Sequence, residues 1–138
     1  MRVEEVFCRC SSVGLRITGE PVAQLYCHCD DCQAAHGAAY VPVAIYPAEA
    51  VEVIKGNPTP LAASSLPRIH CASCGTHLFN DVQSHGLRNV NGYLIPKGEF
   101  KPQCHVQCTY AVLPVVDDLP HYKGLPASFG GSDDLVSW

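Results

Sequence analysis

Val13, Leu15 and Ile17 alternate with Gly14, Arg16 and Thr18, the period-two pattern of a strand with one buried face. Val6, Cys8 and Cys10 predict an earlier strand in which both cysteines share a face, and residues 22–26 predict a third strand. Residues 39–46 and 51–54 are rich in β-branched and aromatic side chains. Residues 66–70 and 76–79 bracket a cysteine pair, and residues 90–95 and 106–116 complete the set of expected strands. Only residues 32–37 suggest a helical turn or two, closed by Gly37. Eleven glycines and eleven prolines argue for many turns and against long helices. No repeat or linker divides the chain. The pattern predicts a single all-β domain over residues 1–125, followed by a tail over 126–138 that drapes over the surface.

Composition narrows the partners. The chain has 138 residues and is 47% hydrophobic, enough for an ordinary packed core and too apolar for a disordered segment. A net charge of -4 with nine scattered Lys and Arg opposes binding to a phosphate backbone, so nucleic acid is not an expected partner. The start, Met1-Arg2-Val3-Glu4-Glu5, lacks the apolar run of a signal sequence, and no stretch reaches membrane-spanning length. The expectation is a cytoplasmic protein that keeps its thiols reduced and makes no membrane contact.

In that compartment nine cysteines point to metal or redox chemistry before disulfides, and seven of them fall in three tight clusters. These are Cys8-x-Cys10, Cys27-x-Cys29-x-x-Cys32 and Cys71-x-x-Cys74. A closed structural zinc takes four sulfur or nitrogen ligands, whereas a catalytic zinc keeps three and leaves one position open. Seven thiolates therefore suit one closed and one open site. Cys71-Ala72-Ser73-Cys74-Gly75 has the form of a zinc knuckle, with a glycine able to take positive φ after the second cysteine. A metal shared by the first and third clusters would close a long loop and contribute strongly to folding. Burial of these four cysteines as small hydrophobes is the competing reading.

The middle cluster offers three thiolates within six residues. Iron–sulfur clusters ordinarily take four cysteines, so three favour zinc. A redox pair of Cys29 with Cys32 is an alternative, as is one mixed site drawing on all seven thiolates. A zinc with three thiolates is a poor activator of water but suits a soft sulfur donor, which it deprotonates on binding. The inference is a substrate that carries a thiol and adds to an electrophilic carbon.

The three clusters in this order, with Arg68 ahead of Cys71-Ala72-Ser73-Cys74-Gly75-Thr76, resemble the glutathione-dependent formaldehyde-activating enzyme family. The likeness extends to Phe100-Lys101-Pro102 with His105, and to Asp117-Asp118-Leu119-Pro120-His121-Tyr122. It implies a β-tent, two small sheets organised around a structural zinc. By this resemblance Cys8, Cys10, Cys71 and Cys74 hold the structural ion. Cys27, Cys29 and Cys32 hold a second, catalytic zinc where the sulfur of glutathione adds to formaldehyde. The implied activity is that of a carbon–sulfur lyase with a small thiol and an aldehyde as partners. One branch of the superfamily resembles centromere protein V, whose basic segments this acidic chain lacks.

Other residues carry weaker signals. His36 follows Cys32 by one helical turn and could join the second ion or move a proton, though a capping role is the plainer reading. His28 is expected to point away from the metal that its neighbours face. His70 and His77 flank the knuckle, and Arg68, Lys97 and Lys101 could meet the carboxylates of glutathione. Cys104 and Cys108, flanking His105, could be additional ligands, but buried thiols are the plainer reading. Two other function classes fit the clusters: a non-catalytic zinc-binding or scaffold module, and an enzyme like the methionine sulfoxide reductases. The latter shares the β-tent but needs an isolated nucleophilic cysteine on a late strand.

Overall fold

The computed structural model describes residues 1–61 and 66–138. The strands are β1 (Val3–Phe7), β2 (Gly14–Thr18), β3 (Ala23–Cys27), β4 (Val41–Pro47), β5 (Val51–Lys55), β6 (Thr59–Pro60), β7 (Arg68–His70), β8 (His77–Val82), β9 (Leu87–Asn91) and β10 (Cys104–Val106). A single α-helix among the described residues, α1 (Asp30–His36), follows β3. The expected mostly β fold with two sheets is therefore what the chain adopts. Two compact units emerge, one from Met1–Ala23 with Ala44–Phe100, the other from Gln24–Val43 with Lys101–Trp138.

The first unit contains a three-stranded antiparallel sheet in the order β1-β2-β5, and the strand series β9-β8-β7-β6 of the second sheet. Leu15 and Ile17 of β2 are buried, as their alternation predicts, and pack with Val6, Val51, Leu78, Phe79 and Val90 in one hydrophobic core. Burying each such side chain fully contributes about 1.5–3 kcal/mol.

Two hairpin loops in this unit carry the first and third cysteine clusters. β1 and β2 pair as far as Phe7 opposite Gly14, which leaves residues 8–13 as the connection. β7 and β8 pair as far as His70 opposite His77, which leaves residues 71–76. The loops close alike: the Cys8 N–H donates to Val13 O at 3.1 Å, and the Cys71 N–H to Thr76 O at 2.9 Å. Cys8 and Cys10 thus sit in a turn and not on a strand, which corrects the expected first strand. The alternation that suggested it is broken at Ser11, whose φ of 65° takes the chain out of extended conformation.

Gly56 fixes the first of these loops. Its φ is 78°, and a Cβ built there would strike the carbonyl oxygen of Ser12. Gly56→Ala should therefore lower stability by at least ~2 kcal/mol, from the left-handed backbone and the clash together. A denaturant melt checks this; an unchanged midpoint would show that the loop can yield.

In the second unit β10 runs parallel to β3, with Cys104 opposite Leu25, His105 opposite Tyr26 and Val106 opposite Cys27. β4 lies beside β3 in the same sheet. The strand expected over 106–116 ends at Val106, because Gln107 turns to φ 58° and a 3-10 turn follows at Cys108–Tyr110. The last residues are bonded within this unit. Tyr122 bridges Leu135, the Val136 N–H donates to His121 O at 2.9 Å, and the Trp138 indole N–H donates to Val115 O at 3.0 Å.

Candidate metal centres

The two hairpin loops of the first unit bring four sulfurs together. Ligand atoms of Cys8, Cys10, Cys71 and Cys74 all lie within 4.8 Å of one another. Cys8 Sγ is 3.7 Å from Cys10 Sγ, which is 3.8 Å from Cys71 Sγ. Four sulfurs bonded tetrahedrally to zinc at ~2.3 Å are about 3.8 Å apart, so the donors match that ion in number, softness and spacing. All nine cysteines are free thiols, and these separations are far beyond a disulfide bond.

The surroundings favour the thiolate form at Cys71 and Cys74, whereas burial and the neighbouring Cys74 and Cys8 raise Cys10. The Val13 N–H donates to Cys8 Sγ at 3.3 Å, and the Cys74 N–H to Cys71 Sγ at 3.5 Å. Ser12 Oγ lies 3.0 Å from Cys10 Sγ and 3.2 Å from Cys71 Sγ, and Thr76 Oγ1 lies 3.1 Å from Cys74 Sγ. The Thr76 hydroxyl, helped by backbone N–H groups, pulls the Cys74 thiol down to about 5. The Ser12 hydroxyl and the Cys74 N–H pull Cys71 down as well. Lowered thiols are the metal-binding form. Ser12 and Thr76 were not legible as participants, since a hydroxyl one or two residues from a cysteine has no distinctive spacing. Gly75 takes φ 78°, as the knuckle requires.

The middle cluster lies in the second unit, where three local structures meet. Cys27 ends β3, Cys29 caps α1 and Cys32 occupies its first turn. The Cys32 N–H donates to Cys29 Sγ at 3.1 Å, so a thiol takes the capping role usual for Ser or Asp. Cys32 Sγ is 3.6 Å from Cys27 Sγ, and the three sulfurs lie within 4.8 Å of each other. Crowding by Cys29 and Cys32, then burial, drives the Cys27 thiol far upward. Three sulfurs this close resist ionising together, and a cation among them removes the penalty. The donor set fits a soft or borderline ion with one position left open.

His36 ends α1 and does not belong to this group. His28 turns away from the sulfurs, as its place between two ligands suggests, and meets His105 instead. In the first unit His77 Nε2 is 2.7 Å from Asn80 Oδ1, and Arg68 is buried.

Against known proteins, residues 4–110 match the sequence profile of the glutathione-dependent formaldehyde-activating enzymes. The chain belongs to that family. No protein of curated function matches the sequence. Its fold is similar to a crystal structure of a Rhodobacter sphaeroides protein at TM-score 0.56 and 19% identity, over 68% of this chain and 89% of the other. Membership supports a lyase-type activity, and the two cysteine groups can each hold a metal ion. Among the described residues no helix is long and apolar enough to cross a membrane.

Proposed function

We propose that this chain is a zinc-dependent carbon–sulfur lyase that adds a small thiol, glutathione in the first instance, to formaldehyde or a related aldehyde. The observation that carries this reading is the open three-sulfur group at the end of β3, in a chain of this family. Cys27, Cys29 and Cys32 would hold the catalytic zinc; Cys8, Cys10, Cys71 and Cys74 would hold a structural one. When bound, the catalytic ion supplies a soft Lewis-acid position that lowers the pKa of an incoming thiol. The chemistry balances without redox: a C–S bond forms, the carbonyl π bond opens, and the thiol proton ends on the new hydroxyl. The chain's part is to hold three sulfurs on one side of the ion through a strand end, a helix cap and a helix turn. Nine free thiols accord with a reducing compartment such as the cytoplasm.

A reductase-like reading would need Cys104 or Cys108 as the nucleophile. Both are buried, and burial pushes Cys108 up to about 11 and raises Cys104. At pH 8 a thiol of pKa 11 is ionised in only about one molecule in a thousand. Iodoacetamide should therefore label Cys104 and Cys108 only slowly in the folded protein, at the rate at which unfolding exposes them. Rapid labelling of either would favour the reductase reading. The lyase is tested by a panel of thiols with formaldehyde and larger aldehydes, following the adduct by NMR. No adduct with any cellular thiol would leave a zinc-binding module.

A further inference from the structure

The second unit buries another set of donors, on the face of β3 opposite Cys27. His105 pairs with Tyr26 across the sheet and shares its face, their rings 5.0 Å apart, while Val106 pairs with Cys27 on the other face. His28 follows Cys27 and turns to the His105 side, with His28 Nε2 2.9 Å from His105 Nδ1. The two histidines are 1% and 0% exposed. His105 Nε2 lies 2.7 Å from Asp117 Oδ2. The second carboxylate oxygen, Asp117 Oδ1, lies 3.2 Å from His121 Nε2, which is buried yet makes no hydrogen bond. The rings of His105 and His121 are stacked, with centroids 4.5 Å apart at 26°.

We infer that His105 Nε2, Asp117 and His121 Nε2 form a third metal site, for a divalent first-row transition ion, separate from both thiolate groups. Ligand atoms of the three residues lie within 4.8 Å of one another. A buried imidazole nitrogen beside a carboxylate, without a hydrogen bond, carries an unmet cost that a cation between them removes. Two imidazoles and one carboxylate suit zinc, iron(II) or cobalt(II), and leave positions open for water or a ligand.

The surroundings support the ligand roles. A metal-binding histidine donates its other ring N–H to a neighbour, which fixes the tautomer. Here the neighbour of His105 Nδ1 is His28, itself stacked on Tyr40 at 4.9 Å. The Leu119 N–H donates to Asp117 Oδ1 at 3.0 Å and orients the carboxylate. Trp138 stands edge-on to His121 at 5.3 Å. The Asp117 side chain is 32% exposed, which gives an ion access from solvent. The competing arrangement fills the same atoms with protons, as a hydrogen-bond chain from His28 through His105 to Asp117.

Cobalt(II) separates the two. Protein whose zinc content has been measured is titrated with Co(II) and followed by visible and near-ultraviolet absorption. The expected result is one further Co(II) per chain with weak visible bands and no sulfur-to-cobalt charge transfer. His121→Ala and Asp117→Asn should each weaken that uptake by more than ~100-fold, and His28→Ala by about 10–100-fold, with zinc content unchanged. If the alanine variant does not fold, His121→Gln serves, since it keeps a polar side chain. No uptake at millimolar Co(II), or uptake unaltered by the His121 and Asp117 substitutions, would leave only the hydrogen-bond chain. Charge-transfer bands that account for all the cobalt taken up would place it on cysteine and equally overturn the site. The outcome does not depend on whether any thiol substrate is found.

Discussion

Replacing Cys71 by serine should leave the first unit unable to keep its fold. Cys71 is 1% exposed and its sulfur sits between the two hairpin loops, 3.8 Å from Cys10 Sγ across 61 residues of chain. Beyond the sulfurs the loops are joined by weaker contacts, the Arg9 N–H donating to Thr76 Oγ1 at 3.2 Å and Ser12 Oγ lying 3.2 Å from Cys71 Sγ. A structural zinc contributes on the order of 10–16 kcal/mol to folding in small domains, against a total stability of roughly 5–15 kcal/mol for an ordinary domain. Serine offers a harder, protonated donor, so most of that contribution is lost. The expected outcome is a fall of more than ~10 °C in melting temperature, or no folded protein, with one zinc fewer per chain. A variant that melts like the parent would show that the four cysteines are packing groups and not ligands.

What the sequence made legible followed from local regularity. The alternation of Val13, Leu15 and Ile17 gave β2, Gly37 marked the end of α1, and the Cys-x-x-Cys-Gly spacing gave the knuckle with its positive φ. Cys8 and Cys10 misled because two residues apart on a strand and two residues apart in a tight turn look alike. The left-handed Ser11 that decides between them is not a glycine. The run after His105 misled for the same reason: Val112, Leu113 and Val116 are apolar enough for a strand but are exposed. The grouping of His28, His105, Asp117 and His121 was illegible. It depends on the parallel pairing of β10 with β3, only three residues long, and on an isolated parallel bridge between His105 and His121, which leave no period to read. Parallel registers are set by tertiary packing, so residues they bring together carry no signature spacing.

Cys32→Ser should separate activity from fold. Cys32 contributes a sulfur to the middle group, but its backbone N–H, which donates to Cys29 Sγ at 3.1 Å, is unaffected by the change. Serine is also acceptable in the first turn of a helix, so α1 should persist. The sulfurs of the first unit are untouched. On the proposed reading, loss of one of three soft donors would remove the ion or leave it loosely held, and with it the means of lowering a thiol's pKa. If that effect supplies about 4 kcal/mol of barrier lowering, the adduct-forming rate should fall about 1,000-fold while the melting curve and one zinc per chain remain. In the parent protein, added glutathione should convert one of two zinc environments to all-sulfur ligation by X-ray absorption. Its binding should weaken as pH falls, because coordination releases the thiol proton. A fully active Cys32→Ser variant would remove Cys27, Cys29 and Cys32 from the reaction.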